Sequence, residues 1–161
     1  MTTREPNTVI IPAREPVKLA DVRRLFEAYL AQLPFDLDFQ GFADELATLP
    51  GKYAPPSGEL LLARHEGHTV GCVALRDLGA GACEMKRLFL DPAARGHGVG
   101  KALVAAIIEA ARQRNYSIMR LDTAAASMGP AVALYKSFGF REIAAYTPNP
   151  LPDALFLELV L

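Results

Sequence analysis

Between Arg95 and Lys101 the chain reads R-G-H-G-V-G-K, three alternating glycines with a cation at each end. Glycines at this spacing leave backbone N–H groups open to a closely approaching ligand. The apolar run that follows, Val99 to Ala111, carries only Lys101 and Glu109 as charges and reads as a helix. A helix start holds about half a positive charge, so its dipole, its free N–H groups and the two cations all favour an anion such as a phosphate. Two common phosphate loops fail on spacing. A Walker A loop needs Gly where Arg95 stands and Ser or Thr where Ala102 stands. The dinucleotide fingerprint G-x-G-x-x-G needs its third glycine one residue later than Gly100. What remains is R-x-x-G-x-G, read either as an anion-binding loop or as a glycine-rich turn with solvated charges.

The surrounding elements decide how such a loop is held. "NTVIIPAR" reads as a first strand. Val22, Leu25, Phe26, Tyr29, Leu30 and Leu33 fall at helical spacing, and Pro34 stops that helix. "FQGFADELATL" gives a weaker helix, and "PGKYAPPSG" a loop. "GELLLAR", "HTVGCVALRD" and "ACEMKRLFL" are strands joined by the short turns "HEGH" and "LGAG", so they run antiparallel. The Val99 helix then leads to the strand "SIMRLDT", which makes a right-handed crossover with "EMKRLFL" parallel to it. "GPAVALYKSFG" is a last helix, and "FREIAAY" and "ALFLELVL" are closing strands joined by "TPNPLPD". The expected fold is a mixed α/β sheet, mostly antiparallel, with one parallel β-α-β crossover in the middle and helices on both faces.

The 161 residues suit one domain, 1–161, with 51% hydrophobic and 22% charged residues. A net charge of -1 gives no general attraction to nucleic acid or to an anionic membrane. Cys72 and Cys83 are too few for a disulfide framework, and with His65, His68 and His97 they form no metal-ligand spacing. They read as buried thiols of a reducing compartment, and no metal is expected. "MTTREPNTVIIPAREP" lacks the apolar core of a signal peptide, and no apolar run approaches the roughly 20 residues that span a membrane. The expectation is a cytoplasmic protein with no membrane or nucleic-acid partner, monomeric or homodimeric.

"CEMKRLFLDPAARGHGVGKAL" followed by "ALYKSFGF" resembles the GCN5-related N-acetyltransferases. The R-x-x-G-x-G piece matches their pyrophosphate loop, and Ala131 to Phe140 matches their A-x-x-L-Y-x-x-x-G-F motif. The two motifs stand in the family's order with a crossover strand between them. One departure is Met128, where the family often has Asn.

The resemblance implies acetyl-coenzyme A as co-substrate, with an amine-bearing acceptor attacking its thioester directly in a ternary complex. Three needs follow from that chemistry. An alkylammonium with a pKa of about 10.4 must lose a proton, the developing oxyanion needs a donor, and a leaving thiolate with a pKa near ~8.5 takes a proton from an acid. Tyr135 matches the family's acid, and its other reading is core packing. Glu84 matches a glutamate that some members use as base, directly or through water. Its other reading is an ion pair with Lys86 and Arg87, since charges in a central strand are costly unless paired or facing a cavity. Strict alternation puts Glu84, Lys86, Leu88 and Leu90 on one face and Met85, Arg87 and Phe89 on the other.

The backbone of Leu88, Phe89 and Leu90 is implied to pair with the pantetheine arm. Arg95, Gly96, His97, Gly98, Val99, Gly100 and Lys101 are implied to hold the phosphates. By the same analogy Phe35, Phe39, Tyr53, Tyr146 and Asn149 are acceptor-side candidates, and Asp36 and Asp38 could attract a cation. Two competing functions are a non-catalytic acyl-coenzyme A sensor of the same fold and a nucleotide enzyme using the loop for ATP. The failed Walker spacing argues against the second.

Overall fold

The structure is a computed structural model that describes residues 7–126 and 128–161. Residues 1–6, part of the segment read for targeting signals, lie outside the described residues. Among the described residues seven strands form one sheet: β1 (Thr8–Pro12), β2 (Glu59–His65), β3 (His68–Gly79), β4 (Ala82–Leu90), β5 (Ile118–Ala124), β6 (Arg141–Ile143) and β7 (Ala154–Val160). Their spatial order is β1-β2-β3-β4-β5-β7-β6. Every neighbouring pair is antiparallel except β4–β5. The mixed sheet with a central parallel crossover is therefore as expected.

Among the described residues four α-helices cover the sheet: α1 (Pro16–Gln32), α2 (Phe42–Ala47), α3 (Val99–Gln113) and α4 (Gly129–Ser137). Pro16 and Pro130 stand in the first turns of α1 and α4, where a missing N–H costs nothing. One core lies between the sheet and α3, around Leu103, Val104, Ile107, Leu121 and Leu157. The second lies under α1 and α2, around Val22, Leu25, Phe26, Phe42 and Leu62. Two expected elements are shorter than their patterns. α2 keeps only Phe42–Ala47, because Gly41 takes a left-handed φ of 68° before it. β6 ends at Ile143, and Tyr146 leaves the strand to make a bond described below.

Strand β4 departs from simple alternation, and this departure shapes the molecule. Arg87 has φ 61°, and the β3–β4 register slips there, with Cys72 opposite Phe89 but Ala74 opposite Lys86. This is a bulge: two residues of β4 oppose one of β3. Beyond it the faces exchange. Met85, Leu88 and Leu90 pack in the α3 core, while Phe89 packs in the α1 core. Lys86 and Arg87 both reach Gln40 on the α1–α2 side. The expected grouping of Leu88 and Leu90 with Glu84 and Lys86 is thus corrected. A non-glycine residue in the left-handed region carries no sequence mark, so periodicity could not reveal it.

Candidate functional site

A cleft lies beside the same part of β4. β4 and β5 pair only at Ala82–Ile118, Cys83–Met119 and Glu84–Arg120, and then diverge. β5 continues its pairing with β7 through Ala124. The peptide groups of β4 from Met85 onward therefore have no β5 partner. A cleft of about 450 Å³ fills the gap, with Met85 to Leu90 as one wall and Leu121, Asp122 and Thr123 as the other. Tyr29, Gln32 and Gln40 close it from α1 and the following turn, and Leu134 and Tyr135 from α4 with Met128 just before that helix. An unpaired, cavity-facing strand edge is a ready template for an extended ligand with amide groups.

At the end of β4 the chain enters the glycine loop. Asp91 accepts a hydrogen bond from the Ala93 N–H at 3.0 Å and fixes the turn before it. Gly96 and Gly98 have φ of 85° and 75°, and nothing lies within 4 Å of where a Cβ would sit on either. Glycine is required there by the left-handed backbone, and the space it leaves is open. Gly98 starts α3, so the first N–H groups of that helix have no carbonyl of their own to bond.

Arg95 and Gly100 line the cleft, and Arg95 also donates to Gln32 Oε1 at 3.2 Å. Val99 is fully buried in the core, so only its backbone is available. Gly96, His97, Gly98 and Lys101 are exposed and are not among the residues lining the cleft. The His97 ring lies 4.9 Å from that of His65 on β2.

Tyr135 lines the cleft from α4 and is 7% exposed, with its ring 5.9 Å from that of Phe140. It thus packs on the core and faces the cleft at once. Its hydroxyl has no hydrogen-bond partner among the described residues, and burial raises its pKa well above the ordinary tyrosine value. It remains protonated across the neutral range. Tyr29, a second phenol in the cleft, is pushed up to about 12, chiefly by burial and against the pull of Arg87. No sequence motif marked Tyr29, which reads as one more core residue of a helix.

Glu84 lies elsewhere. It is 1% exposed and is not among the cleft-lining residues. Arg76 Nε donates to one carboxylate oxygen at 2.7 Å and the Tyr146 hydroxyl to the other at 2.6 Å. Burial would raise its pKa, but Lys86, Tyr146 and Arg76 outweigh burial and hold it below the ordinary carboxylate range. A carboxylate so engaged is not free to take a proton from an amine in the cleft. The ion-pair reading is the one observed, with Arg76 as the close partner and Lys86 at 3.8 Å. Arg87 pairs instead with Glu45 of α2, through Nε at 2.8 Å and Nη2 at 3.0 Å. The Tyr53 hydroxyl also donates to Glu45, at 2.8 Å.

Most acceptor-side expectations fall away from the cleft. Tyr53 is core at 1% exposed, Tyr146 binds Glu84, and Phe35 packs partly on the second core. Phe39 is exposed, and neither it nor Asp36 or Asp38 lines the cleft. Asn149 acts one step back, donating to Asp122 Oδ2 at 3.1 Å. Asp122 itself faces the cleft and was not singled out from the sequence. The signal was present: an acid within the strand "SIMRLDT", costly there for the same reason as Glu84. Met128 lines the cleft and accepts a hydrogen bond from Thr123 Oγ1 at Sδ, 3.1 Å away.

The sequence model of the Acetyltransferase (GNAT) family matches residues 22–140. The chain belongs to this family of acyltransferases. A Schizosaccharomyces pombe protein named as an uncharacterized N-acetyltransferase is 43% identical over 158 residues, covering 96% of each chain. A GNAT-family acetyltransferase structure from Staphylococcus aureus Mu50 superposes with a TM-score of 0.76 at 23% identity, covering 94% of this chain and 97% of that one. A Salmonella typhimurium structure described with its cofactor acetyl-CoA superposes with a TM-score of 0.70 at 17% identity, covering 96% and 94%. These two structures share the fold. Among the described residues no group of His, Cys, Asp and Glu is placed to hold a metal, and no helix is long and apolar enough to cross a membrane.

Proposed function

We propose that the protein transfers an acetyl group from acetyl-coenzyme A to a primary amine, by direct attack within a ternary complex. The observation that carries this reading is the free β4 edge, set between the glycine loop at one end and the Tyr135 hydroxyl on the facing helix. The Salmonella neighbour solved with acetyl-CoA and the N-acetyltransferase name of the fission-yeast relative support it.

The residues present fit such a donor. The backbone of Leu88, Phe89 and Leu90 would take its amide-bearing arm as an added strand. Arg95 with the N–H groups from Gly96 to Lys101 would take its phosphates. When bound, it supplies an activated acetyl carbonyl and a thiolate leaving group. The overall change is balanced: an ammonium and a thioester give an N-acetyl amine, a thiol and one proton. A C–N bond forms and the C–S bond breaks.

Tyr135 would give its proton to the leaving sulfur, since its hydroxyl bonds no group among the described residues and stays protonated. A β4 N–H would donate to the carbonyl oxygen. Glu84 is a positioning residue in this reading. It anchors Arg76 and Tyr146 behind the cleft, leaving water or Asp122 to take the amine proton. Cys72 and Cys83 are both buried, and burial raises both thiols, Cys83 to about 12. Neither is suited to carry an acyl group between two half-reactions.

A thiol-release assay with acetyl-coenzyme A over a panel of amines, peptides and aminoglycosides tests the proposal. Acceptor-dependent release is expected. Tight acetyl-coenzyme A binding without acceptor-stimulated release would instead make the protein a sensor.

A further inference from the structure

The donor chemistry leaves Lys86 unexplained. Its side chain is 8% exposed and lines the cleft just before the bulge. Its ammonium makes one hydrogen bond among the described residues, to Gln40 Oε1 at 3.1 Å. Glu84 stands at 3.8 Å, too far for a hydrogen bond, and already receives Arg76 and Tyr146. An ammonium has three donors, so two are left for water or a ligand by the described residues. Those donors face the cleft, where a ligand can accept them in place of water.

Gln40 is oriented for the same purpose. Its Oε1 also accepts from Arg87 Nη1 at 2.7 Å, so its amide NH2 is turned away from both cations. That NH2 bonds no group among the described residues and is not buried, so it is accessible to a ligand in the cleft that Gln40 lines. Arg87 has its charge balanced by Glu45. Across the cleft Asp122 has one oxygen bonded by Asn149, and its other oxygen has no donor among the described residues. The charges around Lys86 are thus Glu84 and Asp122 on one side of the balance and Arg87 and Lys52 on the other.

We infer that the acceptor is a small amine that also carries a carboxylate, with Lys86 and the Gln40 amide holding the carboxylate and Asp122 drawing in the ammonium. The inference rests on the acetyl-transfer reading of the cleft. Lys86 and Gln40 offer several N–H donors to two carboxylate oxygens, and Asp122 offers an oxygen to a cation. A plain apolar amine would leave Lys86 with only Gln40 and the more distant Glu84 as partners. An amino acid or similar zwitterion completes both ends.

The test compares matched acceptors: L-phenylalanine with phenethylamine, L-leucine with 3-methylbutylamine, and L-aspartate with its dimethyl ester. Initial rates are read by thiol release, after titration calorimetry of acetyl-coenzyme A alone. In at least one pair the free acid is expected to have kcat/KM higher by about tenfold or more. Lys86→Met is expected to shrink that ratio, mainly by raising KM for the acid, and Lys86→Arg to restore most of it. The ratio is internal to each variant, so a partly unfolded preparation does not mimic the effect. Failure to bind acetyl-coenzyme A would overturn the donor reading itself. Three outcomes overturn the inference while leaving the donor reading intact: equal or better use of the acid-free amines, no turnover of any free acid, or an unchanged ratio in Lys86→Met.

Discussion

Strand β4 carries charges of two kinds within four residues. Glu84 and Arg87 are closed: each is nearly inaccessible and bonded at short range, Glu84 to Arg76 and Tyr146, Arg87 to Glu45. Lys86, between them, is more open, with one hydrogen bond among the described residues, Glu84 at 3.8 Å and a face on the cleft. Asp122 on the opposite strand is half open in the same way. The closed pairs tie β4 to α2 and to the segment before β7, and so hold the cleft walls where the sheet itself has parted. The open groups are where a ligand can still gain bonds. Substitutions of the first kind should therefore cost stability, and of the second kind activity.

The largest effect expected is at Arg87. Arg87→Met removes two short bonds to Glu45 and leaves that carboxylate to Tyr53 and Lys52. Urea unfolding should show a loss of about 3–5 kcal/mol. A loss within a few tenths would mean that the Arg87–Glu45 pair does not hold the wall. Next is Tyr135→Phe, where kcat should fall about a hundredfold. Stability should barely change, because the hydroxyl bonds no described protein group. Unchanged turnover at every pH would remove Tyr135 from the chemistry.

Glu84→Gln should cost about 2 kcal/mol, less than a fully buried pair because Arg76 is partly exposed. Its pH signature has a definite sign. The folded pKa lies below the ordinary 4.5, so its contribution is present above pH 4.5 and lost as pH falls through the lower folded value. The variant should therefore lose less stability on acidification than the wild type. Glu45, also held low, keeps part of the slope. The pH profile of kcat/KM for the amine should not move, and a shifted limb would return Glu84 to the role of base. The smallest effect is at Arg95. Arg95→Ala should weaken acetyl-coenzyme A binding about tenfold by calorimetry, with the fold intact, since its side chain makes one exposed bond. Equal affinity would end its phosphate role.

The closed and open charges also differ in how far the sequence revealed them. The sheet, its crossover and the glycine loop were legible, because strand alternation, the turns "HEGH" and "LGAG" and the run after Val99 are local signals. Tyr135 was legible through the motif around it. The grouping of charges was not, because it depends on the bulge at Arg87. That one left-handed residue sets Lys86 and Arg87 on the same side, close to where β4 parts from β5 after Glu84. Which partner each charge meets is also a long-range matter: Glu45 is 42 residues from Arg87, and Tyr146 is 62 from Glu84. Asp122 and Gln40 belong to the site only because distant segments converge on it.

The central claim is direct transfer between two substrates bound together in one cleft. Initial velocities measured while acetyl-coenzyme A and an active amine are both varied test it most directly. Double-reciprocal lines that intersect are expected, as a ternary complex requires. Parallel lines, together with release of free thiol before any amine is added, would show an acyl-enzyme and contradict it.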